Sequence, residues 1–455
     1  MLLHNIMIMS RLISLLVIPM AITIITGCGA GGGGVGDTNY GSYVEDNKLS
    51  LQKISDSAAD SARPVIAANS NGAVYIAWEE ATGGLNKELY LAYSVNSGDK
   101  FFPINGVNRT LCNTATPVSE DISLKTDDEG ALYLAWVDKW PDMSRVMFFS
   151  DLSSSCRMVS DPSLKAAHSP HFDLHGNGEV SMVWTGAESG KKEMYYSRSA
   201  NGGGTFSTPS NISETPVSDS NEPLLAVEGS YHVLRAVWVE GEEGSRSVVS
   251  SNFSDWLGDF LSLEPVSVTS TDSNCPAMAS SFSGTYIAYK GDHSIHLSLW
   301  DIISISFTEP VVLSPGSHSP SCPQIAAGSD GGVYVVWSDK ESIWLTASND
   351  GGVTFTLPKD ISSSAGASSS PRIAAFGSNI SVVWEGDKGV TNEIFLSAST
   401  DNGKTFSDPK NLSNSPTPSS SPVIATDSKK FIYVAWEEGA EGSREIYFLK
   451  YALGD

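Results

Sequence analysis

Val333-Tyr334-Val335-Val336-Trp337 is apolar on both of its alternating faces, so as a strand it has to be covered on both sides. Before it stand Pro323-Gln324-Ile325-Ala326 and Ser329-Asp330-Gly331-Gly332, a strand and a turn whose glycines accept the positive φ of a tight hairpin. After it a third apolar stretch leads into Ser348-Asn349-Asp350-Gly351-Gly352-Val353-Thr354-Phe355. The same order recurs around Val74-Tyr75-Ile76-Ala77-Trp78 and Ile432-Tyr433-Val434-Ala435-Trp436, and Pro64-Val65-Ile66-Ala67, Pro371-Arg372-Ile373-Ala374 and Pro422-Val423-Ile424-Ala425 open further copies. Trp78, Trp136, Trp184, Trp238, Trp337, Trp384 and Trp436 mark successive copies and Tyr289 fills the one long gap, so the spacing is 47 to 58 residues. A repeat running the length of the chain overrides the multi-domain prior that 455 residues would carry.

Four antiparallel strands per unit of about 50 residues make one blade of a β-propeller. The fold class is therefore read as all-β, a single propeller of about eight four-stranded blades over residues 48–455, with seven as the alternative if the divergent fifth unit is absorbed differently. The last copy stops at Tyr447-Phe448-Leu449-Lys450-Tyr451 without a fourth strand. Leu49-Ser50-Leu51-Gln52-Lys53-Ile54-Ser55 has the pattern of the fourth-strand segment from Phe406 to Ser413. An N-terminal strand completing the last blade would close the ring and remove two open sheet edges.

The formal charge of −24 and pI near 4.6 disfavour nucleic acid and anionic membrane surfaces, because a negative field repels both and no Lys/Arg-rich run offsets it. Neutral glycans, basic protein patches and cations are left as partners, and the chain is expected to be monomeric. The eight His are scattered, with no zinc spacing, no G-x-S-x-G and no phosphate-binding glycine loop.

At the N-terminus Arg11 is followed by an apolar run from Leu12 to Ile25, shorter than the roughly 20 residues of a membrane span. Ile25-Thr26-Gly27-Cys28 resembles the lipobox of bacterial lipoproteins. The resemblance implies a signal peptide over residues 1–27, diacylation of Cys28, and a tether over 28–47 that opens with Gly29-Ala30-Gly31-Gly32-Gly33-Gly34. Translation starts at Met1 or at Met9, whose Met9-Ser10-Arg11 makes the tidier leader. The expected location is the bacterial cell envelope, held by lipid alone. In a Gram-negative host, Gly29 in place of Asp directs such a protein to the outer membrane.

Ser348–Phe355 and Ser399-Thr400-Asp401-Asn402-Gly403-Lys404-Thr405-Phe406 resemble the Asp box, S-x-D-x-G-x-T-F/W, of sialidases and related BNR-repeat propellers. Variant copies with Asn occur at Ser94-Val95-Asn96-Ser97-Gly98 and Ser199-Ala200-Asn201-Gly202-Gly203. Ser348, Asp350, Gly352, Phe355, Ser399, Asp401, Gly403, Phe406, Asn96, Gly98, Asn201 and Gly203 are read as structural: the Asp or Asn accepts from backbone N–H groups, Gly supplies positive φ and the aromatic anchors the turn. A sialidase, the resemblance implies, needs three arginines for the sialate carboxylate, a Tyr activated by Glu, and an Asp acid/base. Arg63 sits directly before Pro64 without the intervening Ile of the family's Arg-Ile-Pro, and the loop after Trp78 lacks the Asp and second Arg. Arg235 and Arg372 are further candidates for the channel, whereas Arg145, Arg246 and Arg444 recur near the starts of third strands, which favours a shared packing role. No catalytic residue is assigned, and the reading leans to a non-catalytic module that binds protein or glycan, with an exo-sialidase or other glycoside hydrolase as the alternative.

Acid follows the tryptophan in most copies: Glu79, Asp138, Glu240, Asp339, Glu385 and Glu437 are candidate binding residues. A ring of carboxylates at one mouth of the channel would focus negative potential and suit Ca²⁺ or a basic segment. No loop has D-x-D-x-D-G spacing, so no metal site or cofactor is assigned; the plainer reading is solvated loop charge. Four cysteines remain after Cys28, an even number that fits disulfides in an exported protein. Cys275-Pro276 and Cys322-Pro323 hold the same place in consecutive blades and are expected to pair, leaving Cys112 for Cys156.

Overall fold

The computed structural model describes residues 49–453 apart from 84–85, 105–117, 154, 176–177, 188–189, 216–217, 229–232, 255–257, 268–271, 282, 302–303, 315–318, 329, 388, 390 and 428–430. The leader-like segment 1–27, Cys28, the 28–47 tether and Cys112 lie outside the described residues. Among those described there is no α-helix. The strands form antiparallel units of four, numbered by their second strands: Val74–Gly83, Leu132–Trp140, Glu179–Ala187, Val233–Glu240, Gly284–Gly291, Val333–Asp339, Asn379–Asp387 and Phe431–Glu438. A single parallel bridge, Lys87 to Val118, joins units 1 and 2 into one sheet. In units 4 and 5 the fourth strand is split into two short pieces. The divergent fifth copy is thus a unit in its own right. The outermost strand of unit 8 is Leu49–Lys53, with Leu49 opposite Tyr451 and Lys53 opposite Tyr447.

The core is divided among the gaps between successive units. Tyr75 and Ala77 pack with Leu132, Leu134 and Trp136 of unit 2, while Val74, Ile76 and Trp78 of the same strand pack with Tyr433, Ala435 and Phe448 of unit 8. Each second strand therefore serves two gaps, odd residues one and even residues the other, which is why it is apolar throughout. The seven tryptophans are all at most 2% exposed.

A buried indole N–H needs an acceptor. The residue two positions on points the same way along a strand, and there Trp78 donates to Glu80 (2.8 Å), Trp136 to Asp138 (2.8 Å), Trp238 to Glu240 (3.0 Å) and Trp436 to Glu438 (3.2 Å). First-strand serines Ser61, Ser119 and Ser220 donate to the first three of these carboxylates. Units 3 and 7 have Gly186 and Gly386 instead. A Cβ there would come within 2.8 Å of the Tyr195 ring and 2.7 Å of the Phe395 ring, and those rings stack on Trp184 and Trp384.

The four Ser-x-Asp/Asn turns share one geometry. Ser348 donates to Asp350 (2.7 Å) while accepting from the Gly352 N–H (2.9 Å), and Asp350 accepts from the Thr354 N–H (2.9 Å). Ser399–Asp401, Ser94–Asn96 and Ser199–Asn201 repeat it, with the same serine closure on Gly403, Gly98 and Gly203. The glycine is pressed against the preceding unit: at Gly203, φ +88°, a Cβ would lie 2.1 Å from Phe148. Phe101 and Phe206 pack edge-on against Phe448 and Phe148 of the preceding units, and Phe355 and Phe406 enter the equivalent gaps. These turns clamp neighbouring sheets together.

Hydrogen bonds from Thr354 and Thr405 hold the Asp350 and Asp401 carboxyls down at about 2, and side-chain bonds from Arg444 and Arg246 do the same for Asp60 and Asp272. A carboxyl depressed by native contacts stabilises the fold above its unfolded value near 4, and that contribution is lost as pH falls through about 2. Melting temperature is therefore expected to drop between pH 4 and 2. The double variant Asp350→Asn, Asp401→Asn, which copies the Asn already present in two turns, should fold and show a shallower acid limb in thermal scans.

Candidate functional site

Two faces result from the strand order. First-to-second and third-to-fourth turns lie together on one, the turn face, as Ser97 N–H to Gly72 O (2.8 Å) and Gly351 N–H to Gly331 O (3.1 Å) show. The starts of the first strands and the ends of the second lie on the other, the mouth face.

At the mouth face the first strand of seven of the units carries a bulge, as between Ala62 and Val65, Ser369 and Arg372, and Ser420 and Val423. Its central residue has φ of 51° to 54°: Arg63, Asp121, Ser169, Glu222, Cys275, Ser370 and Ser421. For non-glycine residues this costs on the order of 1 kcal/mol each. It also turns a backbone N–H toward the preceding unit, where a carboxylate receives it. Arg63 N–H donates to Glu437 (2.7 Å), Ser169 to Asp121 (3.0 Å), Cys275 to Glu222 (2.7 Å) and Ser421 to Glu385 (2.9 Å).

The acids after the tryptophans are thus mostly committed inside the protein. Asp138 and Glu240 cap indoles, Asp339 is buried at a strand end, and Glu437, 2% exposed, also accepts from Arg444 Nη1 (3.0 Å). The expectation of solvated or freely accessible ring carboxylates is corrected on this point: desolvation and existing donors occupy them. Among the described residues no group of three or more His, Cys, Asp or Glu side chains is placed to hold a metal ion.

Arg235 also departs from the expected channel position. It lies on a second strand, fully buried, bonded to Glu228 Oε1 (2.9 Å) and stacked 3.7 Å from the centre of the Trp300 ring. Arg246 and Arg444 fork onto Asp272 and Asp60, each just before the first strand of the next unit, and Arg145 donates to the Pro162 carbonyl (2.6 Å). Cys275 and Cys322 form a disulfide between units 5 and 6, with Cα atoms 5.2 Å apart. Cys156 is disulfide-bonded, and Cys112, its expected partner, lies outside the described residues.

Arg63 and Arg372 are brought together. They line a mouth-face cavity of about 290 Å³ with Glu79, Asp121, Glu385, Ser370, Ser421 and the strand-opening prolines Pro64 and Pro422, drawn from units 7, 8, 1 and 2. Arg63 is 62% exposed in its side chain and touches Glu79 (3.1 Å), which Lys87 also reaches (2.8 Å). Arg372 is exposed at the cavity yet hemmed in by protein. Desolvation pulls its pKa below the usual arginine range, opposed by Glu385, and its Nη1 donates to the Pro371 carbonyl (3.1 Å). Among the described residues no tyrosine lines this cavity. Tyr75, Tyr133, Tyr286, Tyr334, Tyr433 and Tyr447 are all pushed up, first by burial, the opposite of what an attacking phenolate requires.

No family model and no curated protein matches the chain. Among solved structures it is similar to a polysaccharide lyase of family PL25, an ulvan lyase bound to -[GlcA(1-4)Rha3S]-, at TM-score 0.50 and 11% identity over 85% of this chain and 93% of that one. It is also similar to puromycin hydrolase, S511A mutant complexed with PGG, at TM-score 0.50 and 12% identity over 84% of this chain, which spans 59% of that one. The NanB sialidase of Streptococcus pneumoniae, K499G mutant, matches at 0.40 and 11% over 90% and 71%, too low to carry an argument. With the serial stacking of four-stranded sheets, the first two likenesses make the fold a β-propeller.

The latch between units gives a direct stability test. Glu437→Ala leaves the Arg63 N–H and Arg444 short of an acceptor and is expected to destabilise by about 1–3 kcal/mol, whereas Glu441→Ala, on an exposed turn, should stay near zero. Urea midpoints at unchanged slope read the difference.

Proposed function

We propose that this chain is a lipid-anchored cell-envelope protein whose single closed eight-bladed propeller, of the Asp-box sialidase type, binds an acid-bearing glycan at the Arg63–Arg372 cavity without cleaving it. Ring closure is supported by the packing of unit 8 against unit 1 and by the Leu49–Lys53 strand on unit 8. The Asp-box assignment is supported by four turns with one hydrogen-bond pattern, and the anchor by the Thr26-Gly27-Cys28 motif. The protein works as a monomer and takes neither nucleic acid nor a metal cofactor in this reading.

The observation that carries the ligand class is the presence of two guanidiniums in one cavity while Asp121 and Glu385 are drawn into latches and Glu79 is shared between Arg63 and Lys87. Arg372 retains donors beyond its one carbonyl contact, and a planar carboxylate or a sulfate matches the guanidinium fork. The ulvan lyase is bound to a sugar of that chemistry, but at 11% identity this likeness speaks for fold alone. The absence of tyrosine among the described residues of the cavity lining and the upward tyrosine shifts weigh against an exo-sialidase.

Titration calorimetry with uronate-containing and neutral oligosaccharides tests this. Binding of the uronate is expected to weaken about tenfold or more in Arg372→Ala, on the scale of one charge-assisted hydrogen bond, and to fall with added salt. Equal affinity in the variant, or no binding, defeats the reading; release of sugar from the oligosaccharide that stops in Glu79→Gln or Glu385→Gln would replace it with the enzyme alternative.

A further inference from the structure

We propose that the turn face is the side that rests on the lipid surface carrying the protein's own anchor, and that the mouth face with its arginine cavity points away from it. The inference rests on the lipid-anchor reading of Cys28 and adds the direction in which the propeller is held.

Strand direction supplies the first argument. Leu49, where the described chain begins, lies opposite Tyr451 at the end of the last third strand, whereas Lys53 lies opposite Tyr447. Third strands run from the mouth face to the turn face, so the antiparallel Leu49–Lys53 strand starts at the turn face. Any tether leading to it emerges there. Roughly twenty residues separate Cys28 from Leu49, and a glycine-rich chain of that length has a root-mean-square span of about 25 Å. Strands of eight to ten residues make the propeller about 30 Å from face to face. A tether of that reach holds the turn face at the lipid. Presenting the mouth face instead would require the tether to double back along the whole side of the molecule, a distance somewhat beyond its root-mean-square span.

The distribution of exposed apolar side chains is the second argument, independent of the first. Val95, Leu152, Ile305, Val353 and Phe376 are exposed large hydrophobics in first-to-second or third-to-fourth turns, spread over units 1, 2, 5, 6 and 7. Among the described residues of this class, Met143, the first residue of a third strand, is at the mouth face, and Phe102, Met158, Leu261, Val311, Val312 and Leu357 lie along the outer fourth-strand segments. Neighbouring turns are tied to each other, as by Asn69 Nδ2 to Asp127 O (2.9 Å), so these side chains share one platform. Side chains of this kind insert at an acyl boundary, and with a net charge of −24 the contact suits a zwitterionic surface over an anionic one.

The test uses the full chain, acylated in a bacterial host and reconstituted in phosphatidylcholine vesicles. A fluorophore is placed through Val353→Cys on the turn face or Glu243→Cys on the mouth face, and energy transfer to an acceptor lipid is measured. Transfer at least twofold more efficient from position 353 is expected, with the gap narrowing when Val95 and Ile305 are changed to Asp. Equal or reversed transfer in protein whose mass carries the acyl group overturns the orientation and leaves the anchor standing. Protein without the acyl group, which stays off the vesicles just as Cys28→Ser does, overturns the anchor reading and the orientation with it.

Discussion

The structure depends on the double-sided burial of its second strands. A four-stranded antiparallel sheet with one apolar face can be stable with one neighbour, but here residues such as Ile76 and Ala77 point to opposite sides and both are fully buried. Each sheet needs two partners, and those partners need two in turn. At the two ends of the series Trp78 and Val74 of unit 1 pack with Tyr433 and Phe448 of unit 8, the contact on which the proposed ring closure rests. The indoles sit in these gaps, and what stands two residues later decides how each is held: a carboxylate that accepts the N–H, or a glycine that admits an aromatic ring.

Acidity in this protein is a consequence of that stacking as much as a surface property. Bulged first strands project N–H groups between units, and carboxylates are the strongest available acceptors for them. Glu437, Glu385, Asp121 and Glu222 are used in this way, and Asp60 and Asp272 bind the arginines of neighbouring third strands. A mouth that looks uniformly acidic in sequence is therefore electrostatically mixed in space. Around units 7, 8, 1 and 2 Glu437, Glu385 and Asp121 serve the latches, Glu79 is shared by Arg63 and Lys87, and the guanidiniums of Arg63 and Arg372 are what the cavity adds.

The repeat, the hairpins and the Ser-x-Asp turns were legible because each is local: periodicity of two, turn glycines, and a side chain reaching four residues along the backbone. Arg63, Arg372, Glu79 and Glu385 were singled out from sequence and share one cavity. Arg235 was misplaced for a reason that strand order makes plain. It belongs to a second strand, whose alternation sends Leu234 and Ala236 toward unit 3 and Arg235 and Val237 toward unit 5; first-strand residues are the ones that line the centre. The clue was Glu228, across the same hairpin, which supplies the buried counter-charge. The indole caps were legible too, since positions i and i+2 of a strand share a side, but reading those acids as loop charge hid the signal. The bulge latches were not legible, because positive φ before proline has no composition that announces it.

The two faces are stabilised by different means, and this bears on where function can change. On the turn face the clamps are short loops closed by their own serine and Asp or Asn side chains, with the glycine and phenylalanine locked against the preceding sheet; replacing the glycine or the phenylalanine disturbs a gap between units. On the mouth face the bulge fixes only the backbone, and the side chain of the central residue is free to differ: Arg, Asp, Ser, Glu and Cys all occur there at the same φ. A position whose backbone is over-determined while its side chain is not is a means of presenting new chemistry at fixed geometry. Arg63 occupies such a position, and shares the cavity with Arg372, which flanks the bulge of unit 7. Arg63 is thus a residue that the fold leaves to choice, which is the physical ground for proposing this cavity, and not the more regular turn face, as a binding site.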